Sequence, residues 1–309
     1  MNYACAQGGV RWASAFPWAY RSKPGAIPTR LDAASRIRNS RRPMADRPDT
    51  IQWHDDPAHP PGFDDASERA MAWKMVVLVL LALTVAKTIG SVPFIGTVAL
   101  TVAVVMQLYI PLWRAQKLGR DYDFVGHHTR ALRRDIRLVA ILIAIAFPPY
   151  AYAHHLYVTE AHAWLGQLGF DELARWIPSR RFAPRWPAPD ALLPGSLWFL
   201  EMSATHLIGV ALPEETFYRG YLQPRLESKS PPTRRFFGVP IGRAAVLCTF
   251  LFALGHVLGE WNPLRMGPFL PGLVFAWQRN ASSSVLGAIL FHGLCNIFGE
   301  VLFSLYVPM

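Results

Sequence analysis

Charge is scarce in this sequence: Asp, Glu, Lys and Arg make up 17% of 309 residues against 52% hydrophobic, and the charges crowd into a few segments. So thin a supply cannot coat a soluble surface, and the composition is that of a membrane protein. Cysteine is scarcer still. Cys5, Cys248 and Cys295 stand far apart with no Cys-x-x-Cys pair, which excludes a disulfide framework and a cysteine zinc site. Lysine is nearly missing, Arg supplying 26 of the 31 basic residues. No His-Glu-x-x-His run places two imidazoles on one helix face with a base between them, which argues against the common zinc-protease helix. No internal repeat is apparent, which weakens an inverted-repeat transporter. The first long apolar run begins only near Met71 without a small-residue cleavage site behind it, so no signal peptide is expected.

What is present begins with a basic leader. Eight basic residues (Arg11, Arg21, Lys23, Arg30, Arg36, Arg38, Arg41, Arg42) precede Met44 against one acid, Asp32, and account for most of the net charge of +10. The leader is broken by Pro and Gly and offers no periodic apolar face, so a disordered arm touching anionic lipid is expected rather than a nucleic-acid partner. Translation is expected to start at Met44, because the stretch from there to Arg69 is acidic, Pro-rich and ordinary for a cytosolic tail.

Seven apolar stretches follow: Met71 to Ile89, Val92 to Trp113, Ile136 to Tyr157, Ser196 to Leu212, Ile241 to Leu258, Met266 to Trp277 and Ser282 to Leu305. Most approach the roughly 20 residues a spanning helix needs, although the sixth is short and broken by Pro268, Pro271 and Gly272. The fold class is therefore all-α, a polytopic transmembrane bundle of about seven spans. Pro148 and Pro149 should kink the third helix. Three parts are expected: a tail over 1–69, two accessory helices with a basic loop over 70–135, and a core over 136–309. Arg and Lys after the second and fourth helices place both loops and the N-terminus in the cytoplasm, and the location is expected to be a bacterial inner membrane.

Ionisable groups inside hydrocarbon are costly enough to mark function, and they gather in the last four helices. Glu215 and Arg219 stand one helical turn apart and should pair. Glu214 points about 100° away, which leaves its carboxylate ionised, desolvated and available as a general base. Phe252 and His256 share one face of the fifth helix, as His292 and Asn296 share one face of the seventh. A rise of 1.5 Å per residue puts Glu214, His256, His292 and Asn296 roughly 15 to 22 Å from the cytoplasmic end, near one level. The pairs His127-His128 and His154-His155 are expected on solvated surface, and Glu201 and His206 as cavity lining or packing.

These motifs, Glu214-Glu215-x-x-x-Arg219, Phe252-x-x-x-His256 and His292-x-x-x-Asn296, resemble in type and order those of the CPBP intramembrane proteases, which include type II CAAX prenyl endopeptidases and bacteriocin-processing (Abi) proteins. The resemblance covers roughly residues 190 to 305. It implies that Glu214 with His256 activates the attacking water, that His292 and Asn296 stabilise the oxyanion, and that Glu215 and Arg219 support them. The expected activity is hydrolysis of a peptide bond in a membrane-anchored protein or peptide, with lipid and that substrate as partners. No cofactor is expected. Were a divalent metal such as zinc to take part, Glu214, His256 and His292 would be its ligands. Two other readings of the same polar residues are a proton- or ion-coupled transporter and a catalytically silent scaffold.

Overall fold

A computed structural model describes residues 65–177, 182–185 and 192–308, all within the unit Gln52–Met309. The basic leader and the proposed start at Met44 lie outside the described residues. Each apolar stretch forms a helix. We number these α1 (Asp65–Thr88), α2 (Ile95–Lys117) and α3 (Leu132–Thr159), then two short helices, α4 (Ala161–Gln167) and α5 (Asp171–Ala174). A continuous helix over 192–229 is α6, followed by α7 (Arg243–Val257), α8 (Phe269–Ser282) and α9 (Leu286–Ser304).

The architecture is an all-α bundle with two minor two-stranded pairings. Strand β1 (Phe182–Pro184) runs antiparallel to β4 (Tyr306–Pro308), fastening the segment after α5 to the chain end. Strands β2 (Arg234–Phe236) and β3 (Val239–Ile241) form a hairpin between α6 and α7. Among the described residues, α1, α2, α3 and α9 are long and apolar enough to cross a bilayer. Helices α7 and α8, with 15 and 14 residues, are shorter than the roughly 20 that a perpendicular span takes. Val77, Leu81, Val102, Val105, Ile141, Ile145, Leu200 and Ile208 face outward. That apolar girdle would be unfavourable in water and suits hydrocarbon.

Pro148 and Pro149 sit inside α3, which continues through them to Thr159. Helix α1 starts before the apolar run, at Asp65, so Glu68 belongs to the bundle rather than to the tail in which the sequence had placed it. The reason is electrostatic: Glu68 is buried and binds Arg114 of α2 through Nε at 2.9 Å and through Nη2, while Arg225 Nε of α6 lies 3.6 Å away. Arg225 in turn lies over the rings of Tyr221 and Phe124, at 4.0 and 4.5 Å.

Two apolar clusters fill the bundle. One joins α1, α2, α6 and α7 through Val76, Ile110, Phe217, Tyr221, Cys248 and Phe252; the other joins α3, α8 and α9 through Val139, Phe275, Ala288 and Phe291. The loop between α2 and α3 packs against α6 and α9. Gly220 lies so close to it that a β-carbon there would stand 2.4 Å from the Val125 carbonyl oxygen. His127 and His128 are consequently half-buried rather than solvated: His127 Nε2 bonds the Thr216 hydroxyl at 2.8 Å and His128 Nε2 donates to the Ser283 carbonyl at 2.9 Å. Likewise His155 Nδ1 meets the Tyr306 hydroxyl at 3.0 Å.

Candidate active site

Helix α6 carries both glutamates, and its backbone is unusual where they sit. Two π-helical segments, Thr205–Ala211 and Thr216–Leu222, bracket a single α-turn, Leu212–Glu215. π-Turns are rare, widen the helix, and recur at functional sites. Pro213 lies inside this continuous helix, where the wider π-turn before it takes up the missing N–H.

The expected pair forms: Arg219 Nη1 donates to Glu215 Oε1 at 3.1 Å, both side chains having no exposed surface. Arg219 Nη2 also donates to the Gly272 carbonyl at 3.0 Å. The guanidinium lies over the rings of Phe252 and Phe275, at 4.4 and 5.3 Å. At 272 a β-carbon would approach the Thr249 methyl to 2.8 Å and Arg219 Nη2 to 2.9 Å, so any larger residue would push on the Arg219 side chain.

His292 reaches this pair from α9. Its Nδ1 lies 2.8 Å from Glu215 Oε1, and its Nε2 lies 3.8 Å from Glu214 Oε2. An ionised Glu215 can only accept, so the Nδ1 of His292 carries the proton in that bond. Phe275 stacks flat on the imidazole, with ring centres 4.8 Å apart and planes 16° from parallel, and fixes its tilt. Glu214 differs from its neighbour: its side chain is 15% exposed, and its Oε2 accepts no hydrogen bond among the described residues. Glu215 Oε2, the Tyr218 hydroxyl and Arg219 Nε are also buried without a hydrogen bond among the described residues.

His256 is held apart from the carboxylates. Its Nδ1 donates to the Phe252 carbonyl at 3.1 Å, which leaves Nε2 as the open edge of the ring. The Phe252 ring separates the two imidazoles, meeting His256 edge-on at 4.8 Å and His292 edge-on at 5.9 Å. Asn296 follows His292 by one turn, half-buried, without a hydrogen bond among the described residues. The structure thus unites Glu214, Glu215, Arg219 and His292 directly, brings His256 alongside through Phe252, and leaves the Asn296 amide free.

Sequence reasoning missed Phe275, Gly272 and Tyr218. An aromatic and a glycine inside apolar helices carry no signal of their own, and only the fold brings them to the site. Among the described residues no three His, Cys, Asp or Glu side chains gather as a metal would require. Glu214, His256 and His292 thus do not form a ligand cluster in this conformation, the ring of Phe252 standing between the two imidazoles.

Buried carboxylates, an arginine and imidazoles converging inside a bundle of apolar helices define a membrane-embedded polar site of the kind intramembrane enzymes carry. The comparison with known families places it further. Residues 196–298, from α6 to α9, match the model of the type II CAAX prenyl endopeptidase Rce1-like family, to which this third of the chain is therefore similar, in agreement with the CPBP motifs. No curated protein and no solved structure shows detectable similarity.

Proposed function

We propose that the protein is an intramembrane endopeptidase that cleaves a membrane-anchored protein or peptide with a water activated by Glu214. The observation that carries this reading is the meeting of two adjacent carboxylates with one imidazole, His292 bonding Glu215 at 2.8 Å and lying 3.8 Å from Glu214. One carboxylate is spent on structure and the other is not. Arg219 and His292 both bind Glu215, so that carboxylate positions the imidazole. Glu214 Oε2 accepts no hydrogen bond among the described residues and takes the proton.

In this mechanism a water held by Glu214 and the open Nε2 of His256 gives its proton to Glu214 while its oxygen attacks the scissile carbonyl carbon. The carbonyl π pair moves onto oxygen. The Asn296 amide donates to that oxyanion, beside His292, whose Nδ1 keeps its bond to Glu215. Collapse of the intermediate breaks the C–N bond, and Glu214 returns its proton to the leaving amine. No step requires a metal. The protein is further proposed to lie in a bacterial inner membrane with its N-terminus in the cytoplasm, supported by the basic loops after α2 and α6.

Purified protein in lipid, given a membrane-anchored peptide, tests the reading. Glu214→Gln keeps the shape and removes the proton acceptor, so cleavage should fall by roughly 100-fold to 10,000-fold with folding intact. His256→Ala should fall comparably, and the double variant should be scarcely worse than either, because groups acting as one unit are not additive. Cleavage should persist through prolonged chelation. Wild-type cleavage by Glu214→Gln together with a dead Glu215→Gln would exchange the two roles, and activity in both variants would rule out a glutamate-dependent protease.

A further inference from the structure

Away from the candidate active site, the hairpin and helices α7 and α8 enclose a cavity of about 1220 Å³. Its walls are apolar: Val246, Leu247 and Phe250 from α7, Phe269 and Leu273 from α8, and Leu142 from α3. Its rim is basic and hydroxylated, with Arg234, Arg243, Ser230 and Thr233, and no acidic side chain among the described residues lines it. The volume exceeds the roughly 300 to 1,000 Å³ of pockets for drug-sized ligands and suits a long-chain amphiphile.

The hairpin that forms one edge adds an independent sign. Its two-residue turn, Phe237-Gly238, has φ of 47° and 75°, the mirror-image turn in which Asn-Gly is the usual pair. A bulky residue at positive φ is strained, and Phe237 returns nothing to the protein interior because it is 83% exposed. Phe236 beside it is 58% exposed. Two adjacent aromatics held outward at the tip, with Arg234 and Arg235 behind them, form the pattern of a segment seated at the lipid–water interface. Trp277 fixes the hairpin to α8 by donating from Nε1 to the Phe236 carbonyl at 2.9 Å. Neither Arg234 nor Arg243 forms an ion pair among the described residues, so both cations face the rim without a protein counter-charge.

We propose that this cavity is a binding site for one anionic phospholipid, with its phosphate on Arg234 and Arg243 and an acyl chain in the groove between α7 and α8. The occupant follows from charge and shape together: the rim offers two free cations and hydroxyl donors, and the walls offer only apolar side chains. A zwitterionic lipid carries its own cation to the same rim and loses most of that attraction. The inference requires only that the chain is embedded in a membrane and is independent of what the active site does.

Native mass spectrometry of the full chain in mild detergent, titrated with dioleoyl phosphatidylglycerol or dioleoyl phosphatidylcholine, tests it. One lipid should be retained, with the anionic one favoured by about thirtyfold, the equivalent of roughly 1 kcal/mol for each of two arginines at a membrane surface. Arg234→Gln with Arg243→Gln should abolish the preference, and Leu273→Trp should block retention of both lipids. If the paired variant is not recovered folded by size-exclusion chromatography, Arg243→Gln alone should reduce the preference. Inorganic phosphate should not displace the lipid, because the acyl chain is part of what binds. Equal retention of the two lipids, a preference untouched by the arginine variants, or displacement by phosphate would each overturn the site.

Discussion

Replacing Arg219 with Ala is the most severe single change the site geometry suggests. The side chain has no exposed surface, and it serves four neighbours at once: Glu215 at 3.1 Å, the Gly272 carbonyl at 3.0 Å, and the faces of Phe252 and Phe275. Removing it leaves Glu215 as a buried charge with only His292 beside it, and breaking such a pair by deleting one partner typically costs about 3–5 kcal/mol. The Gly272 carbonyl keeps the Thr249 hydroxyl, which donates to it at 3.3 Å, so the loss falls mainly on Glu215. That cost alone is a large share of the roughly 5–15 kcal/mol that holds a typical domain folded. Thermal unfolding in detergent, followed by loss of monodisperse protein, should show a greatly lowered midpoint and low recovery. Adding Glu215→Gln to Arg219→Ala removes the stranded charge, so stability should partly return while cleavage does not. An Arg219→Ala protein as stable as wild type would refute the view that this pair organises α6. Equal instability with and without Glu215→Gln would refute the electrostatic reason for it.

Gly220→Ala should lower stability by about 1–3 kcal/mol, measured in the same assay, because the added methyl meets the backbone of Val125 rather than a side chain able to swing away. Burial first, and the neighbouring His128 second, hold the His127 imidazole below its ordinary pKa of 6.5. The fold therefore favours neutral His127, whose contribution is complete above about pH 6.5 and is lost as pH falls below that value. Wild type should lose more stability than His127→Gln between pH 7.5 and 5.5, and identical losses would exclude His127 as the cause. Reporter fusions at Gln116 and Ser230 should read cytoplasmic and one at Ala183 external, whereas the opposite signals would invert the topology.

Seven helices, their order and the pairing of Glu215 with Arg219 were legible because each rests on a local rule: an apolar run long enough to need hydrocarbon, or charges one helical turn apart. The link from His292 to Glu215 was not. Their separation of 77 residues gives no local period to read, and the resemblance had assigned His292 to the oxyanion rather than to a carboxylate. The π-turns on either side of Leu212–Glu215 were invisible for a related reason, since the close contacts along them, Gly293 against Leu207 and Val125 against Gly220, bring in distant parts of the chain. His127 and His128 were misplaced on the surface because polarity suggests solvent unless a partner is seen, and both partners, Thr216 and Ser283, are far along the chain. Glu68 shows the same failure with the opposite charge: it looks like the end of an acidic tail until Arg114 and Arg225 are folded against it.

The family match covers residues 196–298 and omits α1 to α3, yet the packing gives those helices a part in the site. Helix α6 is poorly suited to stand alone in a membrane, since its π-turns displace the regular hydrogen-bond ladder and Glu214, Glu215 and Arg219 lie along it. The face of α6 opposite His292 carries Phe217, Tyr221 and Leu222, and these are buried against Ala72, Val76 and Val79 of α1 and against Ala103 and Ile110 of α2. At its far end Glu68, itself bound to Arg114, holds Arg225. One turn before that grip, Gly220 rests on the α2–α3 loop, and His127 of the same loop holds Thr216, the residue after Glu215. The orientation of the two carboxylates is therefore set from behind, by helices outside the matched segment, while His292, Phe275 and Gly272 set it from the front. A helix pressed on both sides has little freedom to relax its π-segments into regular α-geometry, which would turn the Leu212–Glu215 segment about the helix axis and part its carboxylates from the imidazole they share.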